Sequence, residues 1–257
     1  MLNYTLPFLP ERTEKPRNTG LTMVMDKGLS VRQAEDLVSM CDDYIDFVKL
    51  GFGTSLVSPH LKEKIKVYKK AGIKPYFGGT LFEAFIVRGL FDEFREYVDE
   101  YNVDTVEVSD GSMTLLHDQK LEYIRKLAAD YTVFSEVGSK QAGVVIPVER
   151  WVKMMEDELR SGVYKVITEA REAGNTGIFN SDGSANTELI DDIMQHVNND
   201  FVLWEAPQKS QQVWFIKLLG ANVNLGNISP DDVIPLETLR TGLRGDTFLH
   251  FLPADLK

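Results

Sequence analysis

The chain has 257 residues, 43% of them hydrophobic and 26% charged, which suits one large α/β unit with a sizeable core. Its formal net charge of −11 argues against a nucleic-acid or membrane-surface protein, and it leaves any anionic substrate in need of local cations. The single cysteine, Cys41, permits no intramolecular disulfide.

In chain order, residues 1–18 carry three prolines and little periodicity, and are expected to form an arm packed across a domain of residues 19–257. The stretch itself shows neither a basic n-region before an apolar core nor transit-peptide amphipathicity, and no apolar run reaches membrane-spanning length, so the expected location is the cytoplasm. Leu21 to Met25 reads as a first buried strand closed by Asp26. Ser30 and Gln33 form a capping box for a helix whose inner face is Val31, Ala34, Leu37, Val38 and Cys41. On that stripe Cys41 reads as a buried bystander. Tyr44 to Leu50 is the second strand, ending at Lys49 and a glycine-rich turn. The helix from about Pro59 to Ala71 carries five lysines, read as a solvated outer face.

Ile73 to Phe77 is the third strand, followed by Gly78-Gly79-Thr80 and a helical stretch to Tyr101 broken near Gly89. Asp104 to Val108 is the fourth, leading into Ser109-Asp110-Gly111 and a helix with Leu121, Ile124 and Leu127 inward. Thr132 to Val137 and Tyr164 to Thr168 flank a long helix as strands five and six. Phe201 to Trp204 is the seventh and Asn222 to Leu225 the eighth. Ser229-Pro230 is expected to cap the last helix, with proline at its first position. Eight strand–helix units in strict alternation imply a parallel sheet with right-handed crossovers, and at this length a closed (β/α)8 TIM barrel in a single domain. No G-x-G-x-x-G follows the first strand, no G-x-S-x-G occurs, and the four histidines lack ligand spacing, so dinucleotide, serine-hydrolase and zinc chemistry are unsupported.

Active sites of such barrels lie at the C-terminal mouth. The strand ends collected there are Asp26, Lys49, Glu107 with Ser109 and Asp110, Glu136 with Lys140, Glu169 with Arg171, Glu205, and Asn224 to Asn227. Carboxylates ending strands four to seven, with lysines nearby, suit a Mg²⁺ site that stabilises an enolate, since Mg²⁺ takes hard oxygen ligands and keeps several waters. Glu107, Glu136, Glu169 and Glu205 are the candidate ligands, Glu136 and Glu169 foremost; spacing alone does not choose among them. Gly226-Asn227, ahead of the Ser229-Pro230 helix, occupies the usual phosphate position, where an ordinary βα turn is the alternative. Arg244 and Asp246 either close the mouth or form a terminal ion pair.

The motifs KLGFGTS (Lys49 to Ser55), GGTLFE (Gly78 to Glu83), EVSDG (Glu107 to Gly111), SEVGSK (Ser135 to Lys140), TEARE with GI (Thr168 to Ile178), WEAP (Trp204 to Pro207), NLGNI (Asn224 to Ile228) and LRTGLRGDT (Leu239 to Thr247) resemble the phosphosulfolactate synthase family over nearly the whole chain. The resemblance implies a (β/α)8 barrel that adds sulfite to phosphoenolpyruvate with Mg²⁺, an early step towards coenzyme M. It implies that sulfite attacks the methylene carbon, that charge moves onto the carboxylate beside Mg²⁺, and that a lysine protonates carbon two. Lys140 is the expected acid and Lys49 the second candidate or an anchor. Arg171, Gly226, Asn227 and Arg244 are the expected substrate contacts, and the expected assembly is a homo-oligomer handling small molecules. Two alternatives belong to other classes: a non-catalytic, stress-related barrel, as in a plant branch of the family, and an aldolase forming a Schiff base on Lys49 or Lys140. Borohydride trapping with a keto substrate identifies the last.

Overall fold

A computed structural model describes residues 3–4, 6–138, 146–170 and 173–257. Eight parallel strands close into a barrel in sequential order, from β1 (Thr22–Asp26) to β8 (Leu225–Ile228), and β8 pairs back onto β1. Between them run β2 (Phe47–Leu50), β3 (Lys74–Phe77), β4 (Thr105–Val108), β5 (Thr132–Val137), β6 (Lys165–Thr168) and β7 (Val202–Glu205). The helices are α1 (Val31–Cys41), α2 (Leu61–Lys70), α3 (Gly79–Ile86), α4 (Phe91–Glu100), α5 (His117–Ala128), α6 (Val148–Arg160), α7 (Thr187–His196), α8 (Lys209–Leu219) and α9 (Val233–Arg240). Gly89, at φ +72°, separates α3 from α4, as the break in the helical pattern predicts. Among the described residues no helix is long and apolar enough to cross a membrane.

Period-two alternation divides each strand between the barrel interior and the helical layer. Phe47, Tyr76 and Phe134 meet inside the lower barrel, with Phe47 and Phe134 edge-on at 4.9 Å and Tyr76 tilted against Phe134 at 5.3 Å. Two residues further along the same strands, the inward positions become Lys49 and Glu136. The apolar floor therefore places charge directly above it. Outward residues such as Val48, Val106 and Val133 are buried beneath the helices.

Several boundaries differ from the sequence reading. The second strand starts at Phe47, because Asp42–Tyr44 forms a 3-10 turn. The eighth starts three residues later than expected, at Leu225. Asn222 and Asn224 are instead spent at the lower rim: Asn224 accepts from the Leu21 N–H at 3.2 Å and donates to the Val202 carbonyl at 3.1 Å. Arg12 joins this rim through Glu237 at 2.9 Å, and Arg17 through Asp46 at 2.9 Å. The α1 capping box is present as read, with Ser30 accepting from the Gln33 N–H. Ser229, by contrast, makes no side-chain cap; Pro230–Asp232 is a 3-10 turn leading into α9. The lysines of α2 are not all solvated. Lys64 is buried and its ammonium lies 2.8 Å from Asp26 Oδ2.

Candidate active site

Strand ends β2, β4, β5 and β7 direct Lys49, Glu107, Glu136 and Glu205 towards one point. The Lys49 ammonium lies 2.9 Å from Glu107 Oε1, 3.2 Å from Glu136 Oε2 and 3.7 Å from Glu205 Oε1. Every member of the group is buried, with Lys49 the most exposed at 5%. Burial alone would pull the lysine towards its neutral amine; the three carboxylates outweigh it and hold its pKa well above the ordinary lysine range. Beneath lies Tyr76, in register with Lys49 on the adjacent strand. Burial first, then Glu107 and Glu205, pushes its phenol far above the usual range, so the hydroxyl keeps its proton.

Above this group opens a cavity of about 810 Å³, whose wall includes Lys49, Glu136, Glu169, Glu205 and Asn227. Apolar Met25 and Phe52 and the small polar Thr80 and Ser112 complete much of it. The glutamates differ in how they are used. Glu107 lies below the wall and accepts the Gly79 N–H at 2.7 Å as well as facing Lys49. Glu205 accepts the Ala170 N–H at 3.0 Å and the Asn227 amide at 3.5 Å through Oε2. Glu136, on β5, also faces Lys49, and like Glu205 and Glu169, the residue after β6, it lines the cavity. Among the described residues, no three histidine, cysteine, aspartate or glutamate side chains gather as a metal-holding group by themselves.

Two glycines are required by close approach. A Cβ on Gly79 would stand 2.2 Å from Ser109 Oγ and 2.6 Å from Glu107 Oε1, so the start of α3 can touch Glu107 only without a side chain. Gly177, at φ +71°, would place a Cβ 1.7 Å from the Glu169 carbonyl oxygen. The neighbouring Ile178 N–H donates to that same carbonyl at 3.1 Å, fixing the backbone behind Glu169.

Of the remaining sequence candidates, Gly226 lies within β8 beside Glu205, and Asn227, at φ +57°, reaches the cavity wall. Arg244 does not line the cavity; it lies 3.7 Å from Asp246, which also takes Lys209 at 3.1 Å on the surface. Lys140 and Arg171 lie outside the described residues. Asp26 faces away from the mouth. Sequence reasoning missed Glu83 on α3, which is buried, accepts the Ser112 N–H at 2.7 Å and is bonded by the Ser109 hydroxyl. It holds the loop that brings Ser112 to the wall. Its signal was the acidic residue closing the GGTLFE stretch. Tyr76 was missed as well, and only strand register could have placed it opposite Lys49.

The (2R)-phospho-3-sulfolactate synthase (ComA) family matches residues 10–246. The phosphosulfolactate synthase of Methanocaldococcus jannaschii is 44% identical over 235 residues, covering 89% of this chain and 94% of its own. That of Bacillus subtilis (strain 168) is 41% identical over 243 residues, covering 93% of this chain and 96% of its own. Among solved structures, DHDPS from Cyanidioschyzon merolae is similar in fold, with a TM-score of 0.58 at 11% identity over 93% of this chain and 77% of that one.

Proposed function

From the premise that the chain belongs to the phosphosulfolactate synthase family, we propose that it adds sulfite to phosphoenolpyruvate in a Mg²⁺-dependent reaction giving (2R)-2-phospho-3-sulfolactate. The observation that carries this reading is the ammonium of Lys49 among three strand-end glutamates, with Glu136, Glu169, Glu205 and Asn227 on the wall of one cavity. Among the described residues this wall carries more carboxylate than ammonium, so binding two anions there calls for added positive charge.

The residues fit Mg²⁺ in a restricted way. Glu107 and Glu205 each accept a backbone N–H and face Lys49; Glu136 faces Lys49 as well, and Glu136, Glu169 and Glu205 line the cavity. A cation that takes one or two carboxylates, and otherwise water and substrate oxygens, matches that supply. Glu136 and Glu169 would hold it. When bound, it supplies positive charge where negative charge develops on the substrate carboxylate.

The chain's own groups do the rest. Sulfite is nucleophilic without a protein base, so the protein must orient the two anions and deliver one proton. Lys49, held strongly protonated, acts as a fixed cation that keeps Glu107, Glu136 and Glu205 together. Held so firmly protonated, Lys49 is read as the anchor, and Lys140 of the SEVGSK motif as the proposed donor of the proton to carbon two. Asn227 and the Gly226 backbone receive the phosphoryl group, with Arg171 as a further cation. The same protonation of Lys49 disfavours Schiff-base chemistry there, because imine formation needs the neutral amine. We further read the protein as a cytoplasmic homo-oligomer that handles small molecules and not nucleic acid, and its reaction as one towards coenzyme M.

Product formation from sulfite and phosphoenolpyruvate tests this directly. Phosphosulfolactate is expected with Mg²⁺, to vanish after EDTA and to return when Mg²⁺ is restored. Folded protein that makes no product overturns the assignment; turnover that survives EDTA removes the metal from it.

A further inference from the structure

Outside the barrel wall, between α5, α6 and the ends of β4 and β5, lies another buried lysine that the reaction as described does not use. Lys120 on α5 is fully buried, and its ammonium has three partners. It lies 2.9 Å from Glu158 Oε1 on α6, and donates at 3.0 Å to Asp110 Oδ1 after β4 and at 2.7 Å to the main-chain carbonyl of Glu136. Burial opposes its charge, but Glu158 and Asp110 outweigh that and keep it protonated.

The carbonyl contact lies where the sheet runs out. Register between β4 and β5 ends at Val108 opposite Ser135, while β5 continues against β6 through Glu136 and Val137. The Val133 and Val137 carbonyls accept from Tyr164 and Glu169 on the β6 side, so by alternation the Glu136 carbonyl faces the β4 side, beyond the last paired residue. There the ladder supplies no donor and Lys120 provides one. Glu136 is therefore gripped at two points. Its carboxylate is held from inside the barrel by Lys49 at 3.2 Å, and its carbonyl from outside by Lys120.

We infer that Lys120 is a positioning residue for this reaction, setting the direction of the Glu136 carboxylate at the mouth by holding the backbone from which it projects. The inference rests on the reading of Glu136 as a site residue in sulfite addition. Asp110 and Glu158 are the counter-ions that let an ammonium serve as that donor in a water-free layer. Displacement of a reacting or ligating group by about 1 Å costs on the order of 10²-fold in rate, so a lost anchor one bond from the Glu136 Cα should be visible in turnover.

Three proteins are compared for sulfite addition at a temperature where circular dichroism shows each folded. Lys120→Met/Glu158→Met removes the donor together with the fully buried one of its two counter-ions, and leaves Asp110, whose side chain is 15% exposed, to solvent. Glu158→Gln leaves Lys120 and its bond to the Glu136 carbonyl in place. The double variant is expected to lose about 10- to 100-fold in kcat, with KM for phosphoenolpyruvate within about threefold, while Glu158→Gln stays within about threefold in both. If the methionine pair does not fold, Lys120→Gln/Glu158→Gln carries the same comparison: its amides pair with each other and are too short to reach the Glu136 carbonyl. Wild-type kcat in the folded double variant overturns the inference, as does an equal loss in Glu158→Gln, which would mark the layer as structural. A wild-type protein without sulfite-adding activity overturns the assignment of the reaction instead, and the two failures are read separately.

Discussion

Two buried lysines, Lys64 and Lys49, lie on opposite sides of the barrel wall, and each meets a strand-end carboxylate. On the outer side Lys64 faces one acid, Asp26, at 2.8 Å and donates to the Leu29 carbonyl at 3.0 Å. Asp26 is saturated in turn: Oδ1 accepts from the Gly28 and Leu29 N–H groups at 2.8 and 2.7 Å, and Oδ2 from the Tyr68 hydroxyl at 2.9 Å. That set balances charge one to one and pins the turn between β1 and α1. Inside the barrel, Lys49 faces three acids and borders an open cavity. Both arrangements bury charge at comparable cost. Only the second leaves an excess of carboxylate beside space that a ligand can enter, and charge balance, more than burial, separates the structural clamp from the site.

The largest expected effect separates proton delivery from charge holding. Lys140→Met should leave the protein folded and able to bind phosphoenolpyruvate, yet slow turnover by roughly 10²- to 10⁴-fold through loss of general-acid help. Lys140→Arg should rescue little, since guanidinium is a far poorer acid near neutral pH. Steady-state kinetics with a direct binding measurement checks both. Near-normal turnover in Lys140→Met would move the acid role to Lys49 and dissolve the distinction between a lysine that gives a proton and one that keeps it.

Exchange of the two clamps comes next. Lys49→Met and Lys64→Met should each destabilise by about 3–5 kcal/mol, because each strands buried carboxylate. Their activities should part company. Folded Lys64→Met should turn over within about threefold of wild type, whereas Lys49→Met should lose about 10²- to 10³-fold, as expected when a preorganised charge at a site is deleted. Urea unfolding paired with kinetics on the folded fraction reads both quantities. Parallel losses of activity would show that the outer clamp also shapes the mouth.

The same pair shows how far sequence could go. Alternation of strands and helices is written in hydrophobic periodicity, so the closed barrel was legible, as was the gathering of acids at the ends of strands four to seven. Which parity of each strand faces inward was not. Met25 lines the cavity, so its neighbour Asp26 points outward to α2, and an outward Asp26 is what draws Lys64 out of solvent. Without that parity, Asp26 counted among the mouth residues and Lys64 among the solvated lysines. For Arg244 the sequence left mouth closure and a terminal ion pair open, and after α9 it lies 3.7 Å from Asp246. Glu83 and Lys120 act through a loop N–H and a strand carbonyl, contacts between segments distant in sequence that leave no local pattern to read.

The smallest effect tests the outer wall alone. Cys41 closes α1, the helix packed against the one that carries Lys64, and it is buried with its thiol 3.1 Å from the Leu37 carbonyl. Burial first, and then Asp42, pushes the thiol up to about 11 from its ordinary 9.0. A group with a raised folded-state pKa binds its proton more tightly in the native chain. Its contribution to stability is therefore fully present below the unfolded value and is lost as pH rises through the folded one, here between about 9 and about 11. Native protein at pH 8 should resist thiol reagents until urea unfolds it. Between pH 8 and pH 10 wild type should lose about 1 kcal/mol more unfolding free energy than Cys41→Ala, one pKa unit being worth about 1.4 kcal/mol. Turnover of Cys41→Ala at neutral pH should match wild type, since the thiol lies on the helical side of the wall with Lys64. Rapid labelling of the native protein, or identical alkaline slopes in the two proteins, would show that the outer layer opens to solvent and that its burial differs from that of the site within.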